Sequence, residues 1–226
     1  AGGGVTTGVQ NTLIGGLAGD ALTDADYNVA LGIAALSADT LGSRSVAIGA
    51  YTLNAQNFTT ATDSYNTAVG HNAGNSVSTG IKNTIIGGLA GDQLADADYN
   101  VAVGYGSLST DDLGSKSTAV GTFALEAQNY AAATDSHNTA IGYFAGQSVT
   151  TGVKNTLIGS QAADSLTTGK NNVAVGYLAL ETEDTGDRSV AVGSFTLRNQ
   201  NNDADNYNTA VGYAAGLSIT TGTANV

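Results

Sequence analysis

Apolar and polar positions follow one short pattern: a polar residue, a β-branched one, a small or apolar one, a branched apolar one, then glycine. It returns twelve times, ending at Gly15, Gly32, Gly49, Gly70, Gly87, Gly104, Gly121, Gly142, Gly159, Gly176, Gly193 and Gly212, and Asn225-Val226 opens a thirteenth copy. Successive glycines are 17, 17, 21, 17, 17, 17, 21, 17, 17, 17 and 19 residues apart. A fixed period of this length predicts a solenoid, in which each coil cannot bury a core alone and stacks on its neighbours. Gly15, Gly87 and Gly159 are 72 residues apart, so four coils make a super-repeat, at approximately 11–82, 83–154 and 155–224. The expected fold is all-β, a parallel β-solenoid of about twelve 17-residue coils, read as one array over 1–226 with no linker or break in composition.

Numbering each coil from the residue that opens its pentad, positions 2 and 4 are β-branched or leucine throughout, which reads as a short strand. This reading points Val29, Leu31, Val46 and Ile48 into the coil. Position 3 then faces outward: Leu13, Ala30, Ala47, Ala68, Ile85, Ala102, Ala119, Ala140, Leu157, Ala174, Ala191 and Ala210. A stripe so small and apolar is unusual on a solvated face, and it is taken as the candidate oligomer interface, with Ile85→Asp expected to split the assembly. Glycine at every position 5 requires positive φ or the close approach of another backbone. Position 1 is Asn in nine coils and Ser in three (Ser45, Ser117, Ser189), which predicts a polar ladder at one corner.

After the glycine the coils diverge. Coils two and three of each super-repeat have Leu at position 9 (Leu36, Leu53, Leu108, Leu125, Leu180, Leu197); coils one and four place the apolar residue at position 12 (Leu22, Val77, Leu94, Val149, Leu166, Ile219). One inward plug per coil is expected either way. The extra residues of the longer intervals fall at Asn54–Tyr65, Glu126–His137 and Arg198–Tyr207. As loops breaking the rod once per super-repeat they are the candidate recognition sites, with Gln56, Asn57, Phe58, Gln128, Asn129, Tyr130, Gln200 and Asn201 as the contact residues. Solvated spacers are the alternative reading of the same loops. Tyr27 and Tyr99 are further candidates for partner contact, whereas Tyr51, Phe123, Phe195, Tyr105 and Tyr177 recur with the super-repeat and read as structural stacking.

Charge narrows the partners. Nineteen acidic and seven basic residues give a net charge of −12, which argues against nucleic acid, since phosphate binding needs a basic footprint. Six bases (Arg44, Lys82, Lys116, Lys154, Lys170, Arg188) lie one or two residues before a pentad, so stacked coils should carry a basic seam beside an acidic edge. No apolar run is long enough to cross a bilayer, and no membrane insertion is expected within this chain. Cysteine is absent, which excludes a disulfide framework and any thiolate metal site. The chain starts at Ala1 and lacks Met, as expected of a processed product or an excerpt of a longer fibre.

Catalytic chemistry finds no foothold. His71 is replaced by Tyr143 and Tyr213 in equivalent coils, and His137 by Tyr65 and Tyr207. Asp135-Ser136-His137 places triad residue types side by side, where they cannot adopt the mutual geometry of a triad. No cofactor is expected. The aspartate pairs Asp24/Asp26, Asp96/Asp98 and Asp203/Asp205 leave Ca²⁺ as an alternative, and Asn57-Phe58-Thr59 satisfies a glycosylation sequon.

The pentads Ser45-Val46-Ala47-Ile48-Gly49 and Ser189-Val190-Ala191-Val192-Gly193 resemble the head repeats of YadA-like trimeric autotransporter adhesins, and the Asn138–Gly152 segment is similar to repeats of phage tail fibres. The resemblance implies a left-handed β-roll, three chains side by side, and a place on a cell surface or virion. The coils are longer than the usual head repeat, and no neck, stalk or anchor is present in these residues. The expected function is therefore a non-enzymatic structural and adhesive segment of a surface fibre, homo-oligomeric, contacting a cell surface, matrix or glycan. The alternative is an extracellular filament subunit that stacks end to end without a receptor.

Overall fold

The computed structural model describes residues 1–226 and contains no helix. Twelve three-residue strands form one parallel sheet in chain order: Thr12–Ile14, Val29–Leu31, Val46–Ile48, Thr67–Val69, Thr84–Ile86, Val101–Val103, Thr118–Val120, Thr139–Ile141, Thr156–Ile158, Val173–Val175, Val190–Val192 and Thr209–Val211. Each pairs with the next in a register that puts position 3 opposite position 3. The fold is a parallel β-solenoid of about twelve turns with about 17-residue spacing. Of 135 backbone hydrogen bonds, 111 lie outside regular strand pairing, so the coils are laddered around most of their circumference. Examples are Gly19 N–H to the Ala35 carbonyl and Leu36 N–H to the Thr52 carbonyl, at 2.9 and 3.0 Å.

The strand faces the opposite way from the sequence expectation. Ala30, Ala47, Ala68, Ile85, Ala102, Ala119, Ala140, Leu157, Ala174 and Ala191 have no exposed surface, and Leu13 and Ala210 in the end coils are half-buried against the same core. These twelve residues line the interior of their own coil and cannot be the oligomer interface. Val29, Val46 and Ile48 are only partly covered and Leu31 is 41 % exposed, so positions 2 and 4 form the outer face. In a strand a one-residue shift exchanges every side chain between faces. Here the interior is filled largely from the other walls, by position 8 (Ala18, Ala35, Thr52), the position 9 leucines and the position 12 plugs, all buried except Ile219 of the last coil, which is partly covered. Alanine fits the remaining space.

The bulky exceptions show the same constraint. Ile85 and Leu157 fit because position 9 of the preceding coil is glycine: a Cβ on Gly74 would lie 2.9 Å from Ile85 Cδ1, and one on Gly146 would lie 2.5 Å from Leu157 Cδ1. Leu13 occupies the space left by Gly19 of its own coil, where a Cβ would lie 2.7 Å from Leu13 Cδ2. The two plug types of the sequence reading are thus one volume rule seen from two walls.

Position 5 meets both conditions at once. Gly142 has φ of +144°, and a Cβ there would sit 2.4 Å from the Gly159 carbonyl oxygen one coil on. Three further corners per coil adopt left-handed φ; in coil three all three are non-glycine, at Tyr51 (58°), Leu53 (47°) and Tyr65 (50°), whereas in coils one, four, five, six, eight and twelve one of them is glycine, as at Gly74 (59°). No Val, Ile or Thr occupies any such corner in the chain, because a branched Cβ makes this region still more costly. β-branched residues and corner residues are therefore segregated. Leucine serves at position 9, which is left-handed in coils two and three, whereas valine and isoleucine appear at position 12.

Candidate interaction surfaces

The predicted recognition loops divide between inside and outside. Asn57, Asn129 and Asn201 are exposed, but Gln56, Gln128 and Gln200 have no accessible surface, and Phe58 and Tyr130 are 6 % and 5 % exposed. The glutamines, Phe58 and Tyr130 are corrected from contact residues to core. The position count explains the glutamines: each occupies position 12 of its coil, the inward plug column, and the residue one coil earlier in that column is Asp39, Asp111 or Glu183, also fully buried. The column reads Leu22, Asp39, Gln56, Val77 in the first super-repeat, and the acid–glutamine pair recurs in the other two. That alignment was the available signal.

Each pair closes a polar junction. Gln56 Nε2 donates to Asp39 Oδ2 at 2.6 Å and to Ser45 Oγ at 3.0 Å, while its Oε1 accepts from Asn66 Nδ2 at 2.9 Å. Asp39 Oδ1 accepts from the backbone N–H of Gly42 and Phe58. Gln128 repeats this with Asp111, Ser117 and Asn138, and Gln200 with Glu183, Ser189 and Asn208. In the third super-repeat the interval is two residues shorter and the acid one methylene longer, so Glu183 Oε2 also reaches Asn206 Nδ2, at 2.9 Å.

These junctions bridge gaps in the asparagine ladder, which is otherwise as expected from position 1. Asn28 N–H donates to Asn11 Oδ1, Ser45 N–H to Asn28 Oδ1, Asn83 N–H to Asn66 Oδ1 and Asn100 N–H to Asn83 Oδ1, at 2.8–2.9 Å. A serine is too short to continue the ladder across an enlarged corner, and the glutamine spans the step. Burial raises the Asp39 carboxyl above its ordinary value, against the opposing effect of its hydrogen bonds from Gln56, Phe58 and Gly42. Burial, opposed by Gln128 and Gly114 and reinforced by the charge of Asp112, pushes Asp111 up to about 6. No ion pair reaches any of the three acids; Arg44, Lys116 and Arg188 turn outward to Asp63, Asp135 and Asp205.

The seam ahead of the pentads is real and alternates in chemistry. Tyr27, Arg44, Tyr65, Lys82, Tyr99, Lys116, His137 and Lys154 occupy the same corner of successive coils. Arg44 lies over the Tyr27 and Tyr65 rings at 5.1 and 5.8 Å, and Lys82 over Tyr99 at 5.0 Å. Tyr27 and Tyr99 are about half-exposed, but cations of adjacent coils stack on them. The acidic pairs are likewise engaged: Asp24 accepts from Thr7 and Asp26 from Val9 N–H, with Asp96 and Asp98 bound in the same way to Thr79 and Ile81. No cluster of three or more metal-ligating side chains occurs. Asp135 binds Lys116, and Ser136 binds Ser117 and the Ser115 carbonyl, so the residues around His137 do not assemble as a triad.

The outer face of the sheet is an apolar surface left only partly covered. It presents a Thr/Val column at position 2 and an Ile/Val/Leu column at position 4, with Ile14 57 % and Ile86 and Ile141 each 40 % exposed. Beyond the glycine corner the apolar character continues through Leu17, Ile33, Tyr51, Tyr105, Tyr143, Tyr177 and Tyr213, all exposed. No Asp, Glu, Lys or Arg falls within the first seven positions of any coil, although the chain carries a net charge of −12. The rod has no pocket, and no helix is long and apolar enough to cross a membrane. Comparison with protein-family models gives no match, and neither curated protein sequences nor solved structures give one.

Proposed function

We propose that this chain is a structural and adhesive segment of an extracellular or virion surface fibre, in which copies lie side by side through the outer face of the sheet. The observation that carries this reading is that face, flat, apolar and free of charge on an otherwise acidic rod. Twelve coils at about 4.8 Å span about 58 Å. Five positions (2 to 6) at about 3.3 Å per residue give a width of about 16 Å, so the face approaches the roughly 800 Å² per partner of a stable protein pair, above the patches normally left exposed. Copies of an acidic chain repel one another everywhere except where charge is missing, which favours a second copy as the occupant. The resemblance of the pentads to YadA-like head repeats supports the same arrangement and favours three chains. Asn57, Asn129 and Asn201, exposed at the start of the enlarged corners, are then the points offered to a cell surface, matrix or glycan.

Light scattering on the 226-residue chain tests the association. The wild type is expected as a discrete oligomer and the double variant Val103→Asp/Ile141→Asp as a monomer with an unchanged far-ultraviolet spectrum. A monomeric wild type at tens of micromolar removes the proposal. A second reading, a filament subunit stacking end to end, draws on the two end strands of the sheet, Thr12–Ile14 and Thr209–Val211, the latter already bonded from Thr209 N–H to the Asn225 carbonyl of the next pentad copy; it predicts long fibres in place of a discrete oligomer.

A further inference from the structure

The outer face repeats almost identically every coil. Thr and Val alternate irregularly at position 2, and Ile, Val and Leu at position 4. A copy docked on these columns alone could slide by one coil with little change in contact, since register is weakly specified where successive rungs are equivalent. One feature of the face has a longer period. In coils two to four of the second and third super-repeats, aromatic side chains form a ridge along the margin after the glycine corner: Tyr105, Phe123 and the pair Tyr143/Phe144 in the second, and Tyr177, Phe195 and Tyr213 in the third.

The ridges are built structures. Tyr105 meets Phe123 edge-on at 5.3 Å, Tyr177 meets Phe195 at 5.4 Å and Phe195 meets Tyr213 at 5.7 Å, all T-shaped. Gly106 makes room beneath Phe123, whose ring a Cβ would approach to 2.6 Å. Tyr51 and His71 make the shorter ridge of the first super-repeat, at 6.2 Å. Between ridges, coil one carries Gly16, Gly88 or Ser160 at position 6. A Cβ on Gly16 would meet nothing within 4 Å, and one on Gly88 would make ordinary contact with the Tyr105 ring at 3.5 Å, so Gly16 sits in open space and Gly88 in a depression bordered by the ridge.

We infer that the 72-residue super-repeat is a register ruler for contact with a second copy of this chain: ridges and notches align only when copies are level or displaced by whole super-repeats. A displacement of four coils, about 19 Å, leaves one ridge of each chain without its counterpart. The level arrangement matches all three. This rests on the side-by-side reading and adds to it the element that fixes axial alignment.

Two opposite variants test it on the 226-residue chain. Tyr105→Ser/Tyr143→Ser/Tyr177→Ser/Tyr213→Ser lowers the ridges at exposed positions; Gly16→Tyr/Gly88→Tyr/Ser160→Tyr fills the notches. Oligomeric state is read by light scattering and rod length by electron microscopy with small-angle scattering. The wild type should give rods of uniform length, about 58 Å, and both variants rods spread upward in steps of about 4.8 Å. A monomeric wild type overturns the side-by-side reading and this inference with it. An oligomeric wild type of scattered length overturns the register inference alone, as do variants that stay as uniform as the wild type.

Discussion

Ala140 and Ile141 are neighbours on one strand whose side chains point to opposite faces, so the same substitution at each measures which face is the core. Ala140 is fully buried and belongs to the apolar core, whereas Ile141 is 40 % exposed. An aspartate at position 140 has no cation inside the coil, whose one basic residue, Lys154, lies on the exposed seam. Burial of an unpaired carboxyl typically raises its pKa by about 3 to 5 units; at pH 7 the penalty is limited to protonating it from about 3.9, about 4 kcal/mol, and overpacking an alanine-sized site adds about 1 kcal/mol or more, so Ala140→Asp should cost about 5 kcal/mol. Ile141→Asp forfeits part of one isoleucine's burial, about 1 kcal/mol, and a similar amount of strand preference. With a urea dependence of about 2.5 kcal/mol per molar, the denaturation midpoint should fall by about 2 M or more for Ala140→Asp and by less than about 1 M for Ile141→Asp. Midpoints are the quantity to compare, because long repeat arrays need not unfold in one step. Both proteins should be measured at matched, low concentration, since loss of association lowers apparent stability by mass action. If Ile141→Asp proves the more damaging at monomeric concentration, the strand faces the other way and the corrected core is wrong.

Two further outcomes follow from the enlarged corners. Gln128→Ala leaves Asp111 Oδ2 without its donor and Asn138 Nδ2 without one of its acceptors; a loss of about 3 kcal/mol is expected by chemical denaturation, with hydrogen exchange rising first around Leu113–Asn138. The buried acids also set a pH dependence. A carboxyl whose folded-state pKa lies above its unfolded value binds a proton more readily in the native protein, so stability rises as pH falls through the folded value. With Asp111 at about 6 and an unfolded value near 3.9, up to about 3 kcal/mol is gained between about pH 7 and pH 4. Asp39 acts in the same direction. Thermal melts should therefore peak on the acid side of neutrality and flatten in Asp39→Asn/Asp111→Asn; a melting temperature that falls steadily from pH 7 to pH 5 would contradict this.

What the sequence by itself determined is the repeat: coil number, the 72-residue super-repeat, glycine at position 5, the asparagine ladder and the inward plugs at positions 9 and 12. These follow from local requirements that recur in every coil and so can be counted along one chain. Which way the strand faces was decided only by the assembled coil. Alternation shows that odd and even positions lie on opposite faces, but it does not say which face is inside when both are apolar. Val29 and Ala30 are equally plausible core residues until the opposite wall is in place, and that wall, with Leu36, Leu53 and Leu22, leaves room for alanine. Gln56 shows the same limit. A glutamine in a long corner reads as a surface residue, and only the stacking of position 12 on position 12 brings it against Asp39 in a buried junction.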